Sequence, residues 1–217
     1  MDDFTARRIT MVDTQVRPHD VTKFPVIDAM LATPREAFVP SGARGLAYVD
    51  GPVTLSGERV LLDARSIGKM LDALEVTPKD LVLEIGAGMG YTTALLAHMA
   101  EAVVAVEEDA DLASEAEAAL SAQQVDNAMI VQAPLIDGSP KHGPFDAIVI
   151  FGGVSQIPQA VVDQLKENGR IMAIFMKGAL GEARLGRKID GRVSWRMDFN
   201  ATAPVLPGFA AAPAFEF

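Results

Sequence analysis

The stretch that decides the fold is Leu81–Tyr91, LVLEIGAGMGY, in which an apolar run and an acid precede three glycines on alternate positions. The apolar run is typical of a buried strand, and the residues after it have helical composition. Glycines between a strand and a helix allow a sharp turn, and they allow a ligand to lie directly against the backbone. Because a helix N-terminus presents free N–H groups there, the stretch predicts a ligand site, with a ligand-free turn as the alternative.

From about residue 64 onward, short β-branched runs alternate with helical stretches. This alternation predicts an α/β fold in which a parallel sheet is covered by helices on both faces. The predicted strands are LVLEI (81–85), VVAVE (103–107), AMIVQ (128–132), DAIVIF (146–151) and RIMAIF (170–175). The predicted helices between them are TTALLAHMA, DLASEAEAALSAQQ and PQAVVDQLKE, and Asp109 or Asp111 is expected to cap the second.

The last quarter of the chain has a different pattern. Two strand-like runs follow Gly178 and are separated by Asp190-Gly191. An Asp-Gly pair in this context predicts a β-hairpin, because both central residues of a type I′ turn need positive φ. The tail APVLPGFAAAPAFEF is apolar, and we expect its phenylalanines to pin it to the body of the protein.

Residues 1–63 are irregular, with one helix expected from Thr22 to Met30. This segment is too short for a comfortable core of its own, so we expect an N-terminal helical cap on the sheet. The predicted organisation is one domain over residues 1–217, with a cap (1–63) and a ligand-binding core (64–217).

The composition disfavours several classes of protein. A net charge of −10 and a pI near 4.7 repel nucleic-acid phosphates and anionic lipid, so neither nucleic acid nor membrane is an expected partner. The polar, acidic start is unlike a signal peptide, and the apolar runs are too short to span a bilayer. There is no cysteine and there are three scattered histidines, so we expect no metal centre and a cytoplasmic location.

Four acids and one aromatic residue bear on the choice of ligand. The dinucleotide fingerprint G-x-G-x-x-G requires glycine where Tyr91 stands. Glu84 comes two residues before the first glycine, where a carboxylate can receive an amino-acid ammonium group. Glu107 ends the second strand, where a carboxylate can accept both ribose hydroxyls, with Glu108 and Asp109 as neighbouring candidates.

Two segments, LVLEIGAGMGY (81–91) and VVAVEED (103–109), resemble motifs of class I S-adenosylmethionine-dependent methyltransferases. Within that class, the chain is most similar to the protein-L-isoaspartate O-methyltransferase family. The resemblance continues through VIDAMLATPREAFVP (26–40), AYVDGPVTL (47–55) and GPFDAIVIFGGVSQIPQAVVDQLKENGRIMAI (143–174), which look like that family's motifs in the same order.

This resemblance implies a Rossmann-like fold with a mostly parallel seven-stranded sheet, helices on both faces and a C-terminal antiparallel hairpin. It implies S-adenosyl-L-methionine as cofactor and a carboxylate of damaged proteins as methyl acceptor. The cofactor-binding residues it implies are Glu84, Gly86, Ala87, Gly88, Gly90, Tyr91, Glu107 and Glu108. Asp146 also lies in a motif position, but a residue that satisfies local backbone N–H groups is an equally good interpretation.

The sequence departs from the family just before the helix that precedes the glycine stretch. The family carries G-Q-T-I-S-Q-P, whose hydroxyls lie by the methyl group and the substrate carboxylate. This chain has ERVLLDA at 58–64, so Val60 replaces the threonine and Leu62 the serine, and no catalytic residue is assigned. A site that loses a hydrogen-bonding hydroxyl discriminates differently between substrates, so this departure predicts weak or absent methylation of isoaspartyl residues. A carboxylate acceptor nevertheless needs no general base.

Four functions therefore stay open at this point. The first is methylation of isoaspartyl protein or peptide, and the second is methylation of a different, small carboxylate acceptor. The third is a regulatory or partner protein that binds S-adenosylmethionine without turnover. The fourth, an NAD-linked oxidoreductase, is disfavoured by Tyr91. Arg17, Arg35 and Arg59 are candidates to clamp an anionic substrate, with surface or structural ion pairs as the alternative.

Overall fold

The computed structural model describes residues 3–211, and its centre is a seven-stranded sheet beside a small separate hairpin. The strands in chain order are β1 (Val53–Ser56), β2 (Arg59–Leu61), β3 (Leu81–Ile85), β4 (Ala102–Glu107), β5 (Ala128–Gln132), β6 (Phe145–Val154), β7 (Leu165–Lys177), β8 (Leu180–Ile189) and β9 (Arg192–Asn200). Strands β1 and β2 form the hairpin, and the sheet has the order β5-β4-β3-β6-β7-β8-β9. All five strands predicted for the parallel part are present.

The strands from β5 to β7 are parallel, and β3 lies between β4 and β6. Glu84 on β3 stands opposite Ala105 on one side and Val149 on the other. Because β3 and β6 are neighbours in space but not in sequence, the direction of strand succession reverses between them. Such a reversal opens a crevice at the carboxyl ends of the strands, where open α/β sheets bind their ligands.

Six α-helices accompany the sheet within residues 3–211. They are α1 (Phe4–Met11), α2 (Phe24–Ala32), α3 (Ala64–Leu74), α4 (Tyr91–Met99), α5 (Ala110–Ala122) and α6 (Gln159–Asp163). Alternate residues of β3 enter two different apolar clusters: Val82 joins the cluster of α2, α3 and α4, whereas Leu83 and Ile85 join that of α6. Both faces of the sheet are therefore covered. Asp109 caps α5 by accepting hydrogen bonds from the N–H groups of Asp111 and Leu112.

The C-terminal strands β7, β8 and β9 pair antiparallel, as the sequence predicts. Asp190 and Gly191 connect β8 to β9 with φ angles of 51° and 74°, so both adopt the left-handed conformation that a type I′ turn requires. The backbone N–H groups of these two residues donate to the carboxylate of Glu167, which ties the turn to the start of β7.

The N-terminal segment covers one face of the sheet. The predicted helix there is α2, and residues Arg35–Phe38 and Ser41–Leu46 are short helical turns. Met30, Phe38, Ile67 and Leu95 are fully buried in one cluster, so the segment shares its core with the sheet. Helix α1 and the β1–β2 hairpin are additions that the sequence pattern does not indicate. The boundary between cap and core at residue 63 stays a prediction.

One predicted helix is wrong in length. The pattern predicts a helix over 158–167, but α6 ends at Asp163 and β7 begins at Leu165. The N–H of Phe145 donates to the carbonyl of Gln164 at 2.8 Å, and Asn168 has a φ of 64°, so the chain joins the sheet here instead of continuing as a helix.

In the tail, Phe209 is fully buried as expected, whereas the predicted anchors Phe215 and Phe217 lie outside the described residues.

Every helix within residues 3–211 is too short or too polar to span a bilayer.

Candidate functional site

The glycine turn lies at the carboxyl end of β3, beside the crevice where the strand order reverses. Gly86 and Gly88 have φ angles of 87° and 56°, which side chains other than glycine rarely adopt. The N–H groups of Gly86 and Ala87 donate to the carbonyl of Val106 at 3.0 and 3.2 Å. The turn is thereby fixed against the end of β4, next to Glu107.

Gly90 and Tyr91 face the interior of the protein. A Cβ atom on Gly90 would lie 3.3 Å from the Cβ atom of Ala116, so this glycine allows α5 to pack closely. Tyr91 is 1% exposed, and its ring packs against Phe38 with the guanidinium of Arg35 4.9 Å from the ring centroid. The structure gives both residues packing contacts, and their contact with a cofactor stays a prediction.

Glu84 is fully buried, and both of its carboxylate oxygens are occupied. One oxygen accepts a hydrogen bond from the hydroxyl of Thr92, and the other accepts one from the hydroxyl of Thr93 at 2.6 Å. Burial raises the pKa of Glu84 to about 7, although the two hydroxyls act in the opposite direction. The first turn of α4 thus supplies two hydroxyl partners to the carboxylate of Glu84, and its acceptance of an ammonium group stays a prediction.

Replacing Glu84 with glutamine is expected to remove a pH dependence of stability. The folded-state pKa of about 7 lies above the ordinary value of 4.5, so the protonated form favours folding. This contribution is fully present below pH 4.5 and is lost as the pH rises through 7, a change of roughly 3 kcal/mol at 1.36 kcal/mol per pKa unit. Urea unfolding of both proteins between pH 4.5 and 8 measures it. A difference in unfolding free energy that stays constant with pH would contradict the assignment.

Glu107 is the centre of the site. Its carboxylate is fully buried at the end of β4 and accepts hydrogen bonds from three backbone N–H groups, those of Gly88 (2.8 Å), Glu108 (3.0 Å) and Asp109 (3.1 Å). The guanidinium of Arg59 completes the set with two parallel bonds of 2.6 and 2.7 Å to the two oxygens. The predicted ribose acceptor therefore lies against the glycine turn, and it is paired with an arginine from the β1–β2 hairpin.

Glu108, the neighbouring candidate, is half-buried and makes a weaker contact. Its carboxylate accepts a hydrogen bond from the N–H of Leu135 at 3.3 Å. This contact joins the end of β4 to the loop that follows β5. Its role in binding stays a prediction.

Apolar side chains cover the glycine turn. A Cβ atom on Gly88 would lie 2.7 Å from Cδ1 of Leu55, and one on Gly86 would lie 3.1 Å from Cδ1 of Leu206. Beside this cover, a cavity of about 350 Å³ lies between the hairpin and residues 204–210. Its walls include Glu58, Arg59, Val60, Phe151, Gly152 and Leu206. The glycine turn thus has close neighbours from two distant parts of the chain.

Leu62 does not line this cavity. Its side chain is 3% exposed and belongs to the apolar core, whereas Val60 faces the cavity. The carbonyl of Leu62 accepts a hydrogen bond from Nη2 of Arg35 at 2.6 Å, and Nε of Arg35 donates to the carbonyl of Ala47 at 2.6 Å. The position where the family carries its serine is therefore a packed, apolar one in this protein.

The remaining candidates have structural partners. Arg17 pairs with Asp13 on the surface, and Arg35 is buried, so the structural interpretation of these two arginines is supported. Asp146 accepts a hydrogen bond from the N–H of Leu81 and pairs with Lys166 at the amino end of β6. Burial opposes ionisation of Asp146, but Lys166 and this N–H lower its pKa. Asp146 therefore accepts hydrogen bonds from local donors at the amino ends of the parallel strands, whereas the glycine turn lies at their carboxyl ends.

Sequence reasoning missed the pairing of Arg59 with Glu107 and the approach of Leu206. The two charged residues are 48 positions apart, and complementary charge was the only signal that joined them. Leu206 stands in the apolar tail, and the sequence predicts that this tail packs on the body but not which residues it contacts.

The match to a protein-family model covers residues 8–198, and the description of that family is protein-L-isoaspartate(D-aspartate) O-methyltransferase. The protein-L-isoaspartate O-methyltransferase of Methylorubrum extorquens is 37% identical over 216 residues, which are 97% of this chain and 92% of that protein. The protein of the same name from Gloeobacter violaceus is 38% identical over 162 residues, 75% of this chain and 79% of its own.

Solved structures agree on the fold. A protein-L-isoaspartate O-methyltransferase superposes with a TM-score of 0.80 at 22% identity, over 93% of this chain and 66% of that one. A putative protein-L-isoaspartate O-methyltransferase from Plasmodium falciparum was solved in complex with S-adenosyl-L-homocysteine. It superposes with a TM-score of 0.79 at 19% identity, over 95% of this chain and 99% of that one. The predicted fold class is confirmed. The family match over most of the sequence confirms the resemblance as well, so the chain belongs to the protein-L-isoaspartate(D-aspartate) O-methyltransferase family.

Proposed function

We propose that this protein transfers the methyl group of S-adenosyl-L-methionine to the free carboxylate of isoaspartyl residues in damaged proteins and peptides. Family membership supports this function, since relatives with this name match the chain over most of their own length. The structural observation that carries it is the buried carboxylate of Glu107, bonded to the N–H of Gly88 at the reversal of strand order. The related Plasmodium falciparum structure contains S-adenosyl-L-homocysteine, the product of such a transfer.

The residues at the turn fit this cofactor. Gly86 and Gly88 leave the backbone of the turn bare of side chains, and the leucine side chains that cover it would lie only 3.1 and 2.7 Å from a Cβ atom at these positions. Glu107 is a carboxylate that can accept ribose hydroxyls, and the first turn of α4 presents its N-terminal N–H groups on the same edge of the sheet. When bound, S-adenosyl-L-methionine supplies a methyl group activated by a positively charged sulfur.

The protein's own contribution is placement and exclusion of water. A carboxylate acceptor is already a nucleophile, so no side chain has to remove a proton from it. Alignment of two bound reactants lowers the barrier without acid–base chemistry. Val60, Phe151 and Leu206 supply apolar walls beside the turn, and such walls strengthen electrostatic attraction between a bound anion and a cationic sulfur. A packed Leu62 is compatible with this chemistry.

The alternatives are less well supported. A different acceptor, or a protein that binds the cofactor without turnover, would fit the replacement of the family serine by Leu62. The relatives that match the chain are nevertheless named as isoaspartate methyltransferases, so these alternatives are not favoured. An oxidoreductase is inconsistent with the family. The cytoplasmic location and the lack of nucleic-acid partners stay predictions.

The test is methyl transfer from labelled S-adenosyl-L-methionine to two peptides that differ only in an isoaspartyl or an aspartyl residue. Labelled methanol, released when the ester hydrolyses, is expected from the isoaspartyl peptide alone. Leu62→Ser and Leu62→Ala are matched controls, since each removes buried apolar volume at a cost of about 2–5 kcal/mol and neither is expected to gain turnover. Binding of the cofactor without label release from the wild-type protein would contradict the proposed function.

A further inference from the structure

We infer that Arg59 holds the cofactor site closed, and that a nucleoside binds Glu107 only after this guanidinium leaves. Arg59 then sets the affinity of the protein for S-adenosyl-L-methionine and its product. This inference rests on the proposed function, because it concerns the regulation of the same site.

The first argument is the hydrogen-bonding capacity of Glu107. A carboxylate offers about four lone-pair positions in all. Five N–H groups already donate to Glu107, two from Arg59 and one each from Gly88, Glu108 and Asp109, so no position is left for a further donor. The backbone donors belong to the fixed turn and to the start of α5. Two ribose hydroxyls can donate to this carboxylate only in place of the arginine.

The second argument is the position of the guanidinium. Nη2 of Arg59 lies 3.5 Å from the place of a Cβ atom on Gly86, so the arginine stands over the glycine turn as well as over the carboxylate. Leu55, from the other strand of the same hairpin, covers Gly88. Thr54 pairs with Val60 in that hairpin, so the two covering side chains are carried by one element.

The third argument is that this element can move while the opposite wall stays in place. The β1–β2 hairpin is a two-stranded sheet of its own, whose base is buried in the core at Val53 and Leu61 but whose tip, residues 56–58, is exposed. Leu206 is anchored differently: its N–H donates to the carbonyl of Gly153 at 2.9 Å, and the N–H of Gly153 donates to the carbonyl of Pro204 at 2.8 Å. Opening of the site is therefore assigned to the tip of the hairpin, which carries Arg59.

The sequence adds a comparison with the family motif. Alignment of ERVLLDA with G-Q-T-I-S-Q-P puts Arg59 at the position of the first glutamine. A neutral side chain there competes far less for a carboxylate than a guanidinium with two charge-assisted bonds. Arg59→Gln is therefore the informative substitution, because it restores the residue of the motif and removes the competing charge.

The experiment is calorimetric titration of S-adenosyl-L-homocysteine into wild-type protein, Arg59→Gln and the control Arg196→Gln. Arg196 pairs with Asp198 on the exposed strand β9, so the control removes an arginine ion pair elsewhere. We expect Arg59→Gln to bind roughly tenfold more tightly or better, equivalent to 1.4 kcal/mol, and Arg196→Gln to bind as wild type does. Unchanged or weaker binding by folded Arg59→Gln overturns the inference.

A second variant guards against a folding defect. Leu55→Ala removes the cover over Gly88 from a half-exposed position and is expected to raise affinity in the same direction by a smaller factor. If Arg59→Gln does not fold, unchanged affinity of Leu55→Ala overturns the inference. Tighter binding by Arg59→Gln without methyl transfer supports the inference and rejects the proposed function. Methyl transfer with no affinity gain in either variant supports the proposed function and overturns the inference.

Discussion

The Glu107→Ala variant is expected to lose about 3–5 kcal/mol of unfolding free energy, together with measurable binding of S-adenosyl-L-homocysteine. The carboxylate compensates a largely buried guanidinium and accepts hydrogen bonds from three backbone N–H groups. Its removal leaves Arg59 as an unpaired charge with a 13% exposed side chain. Urea unfolding and calorimetry measure the two losses.

Two further variants serve as controls for this result. Glu108→Ala removes the adjacent, half-buried acid, and we expect a change below about 1 kcal/mol because its hydrogen bond with the N–H of Leu135 is long, at 3.3 Å. The double variant Arg59→Gln with Glu107→Ala is expected to be more stable than Glu107→Ala alone, since no charge is then stranded. A loss below 1 kcal/mol in Glu107→Ala would show that the pair is solvated and carries little energy.

The Arg35→Met variant is expected to lose on the order of 3 kcal/mol of stability, because it leaves two buried carbonyls without donors. Arg35 is 1% exposed and donates to the carbonyls of Ala47 and Leu62, which stand on either side of the β1–β2 hairpin. Burial lowers the pKa of its guanidinium. Methionine preserves most of the volume, so the loss reports the hydrogen bonds. Chemical denaturation is the measurement.

A matched control for this prediction is Arg65→Met. Arg65 also contacts an aromatic ring, that of Phe199 at 5.8 Å, but it is half-buried and stands near the start of α3. Its replacement is expected to cost less than about 1 kcal/mol. Equal losses in the two variants would argue that the aromatic contact, and not the pair of carbonyls, is what Arg35 contributes.

The parallel sheet could be predicted because each of its strands carries its own signal. The apolar runs at 81–85 and 103–107 are buried on both faces, and Asp190-Gly191 dictates its turn without help from the rest of the chain. Helix α1 and the β1–β2 hairpin carry no such local signal. They are held by distant contacts, for example that of the Phe4 ring with Tyr48, which a pattern read along the chain does not contain.

In the candidate site as well, residues with a local sequence signal could be predicted and contacts between distant residues could not. The spacing of Gly86 and Gly88 and the acid at the end of β4 follow from strand–turn–helix geometry, so the sequence locates them. What stands opposite them does not follow, because Arg59 reaches Glu107 across 48 positions. Glu84 is a case in which the partners are close in sequence and still could not be predicted. The hydroxyls of Thr92 and Thr93 reach its carboxylate only because the glycine turn folds the first turn of α4 back against β3.

The antiparallel end of the sheet has a consequence for behaviour at high protein concentration. Strand β9 is an outer edge, and a long unpaired edge invites another chain to add a strand and begin aggregation. Here Arg192, Arg196 and Asp198 are exposed along that edge, and charged groups in such a position oppose edge-to-edge pairing. With a net charge of −10, copies of the protein also repel one another. The hairpin that closes the fold thereby also protects it from polymerisation.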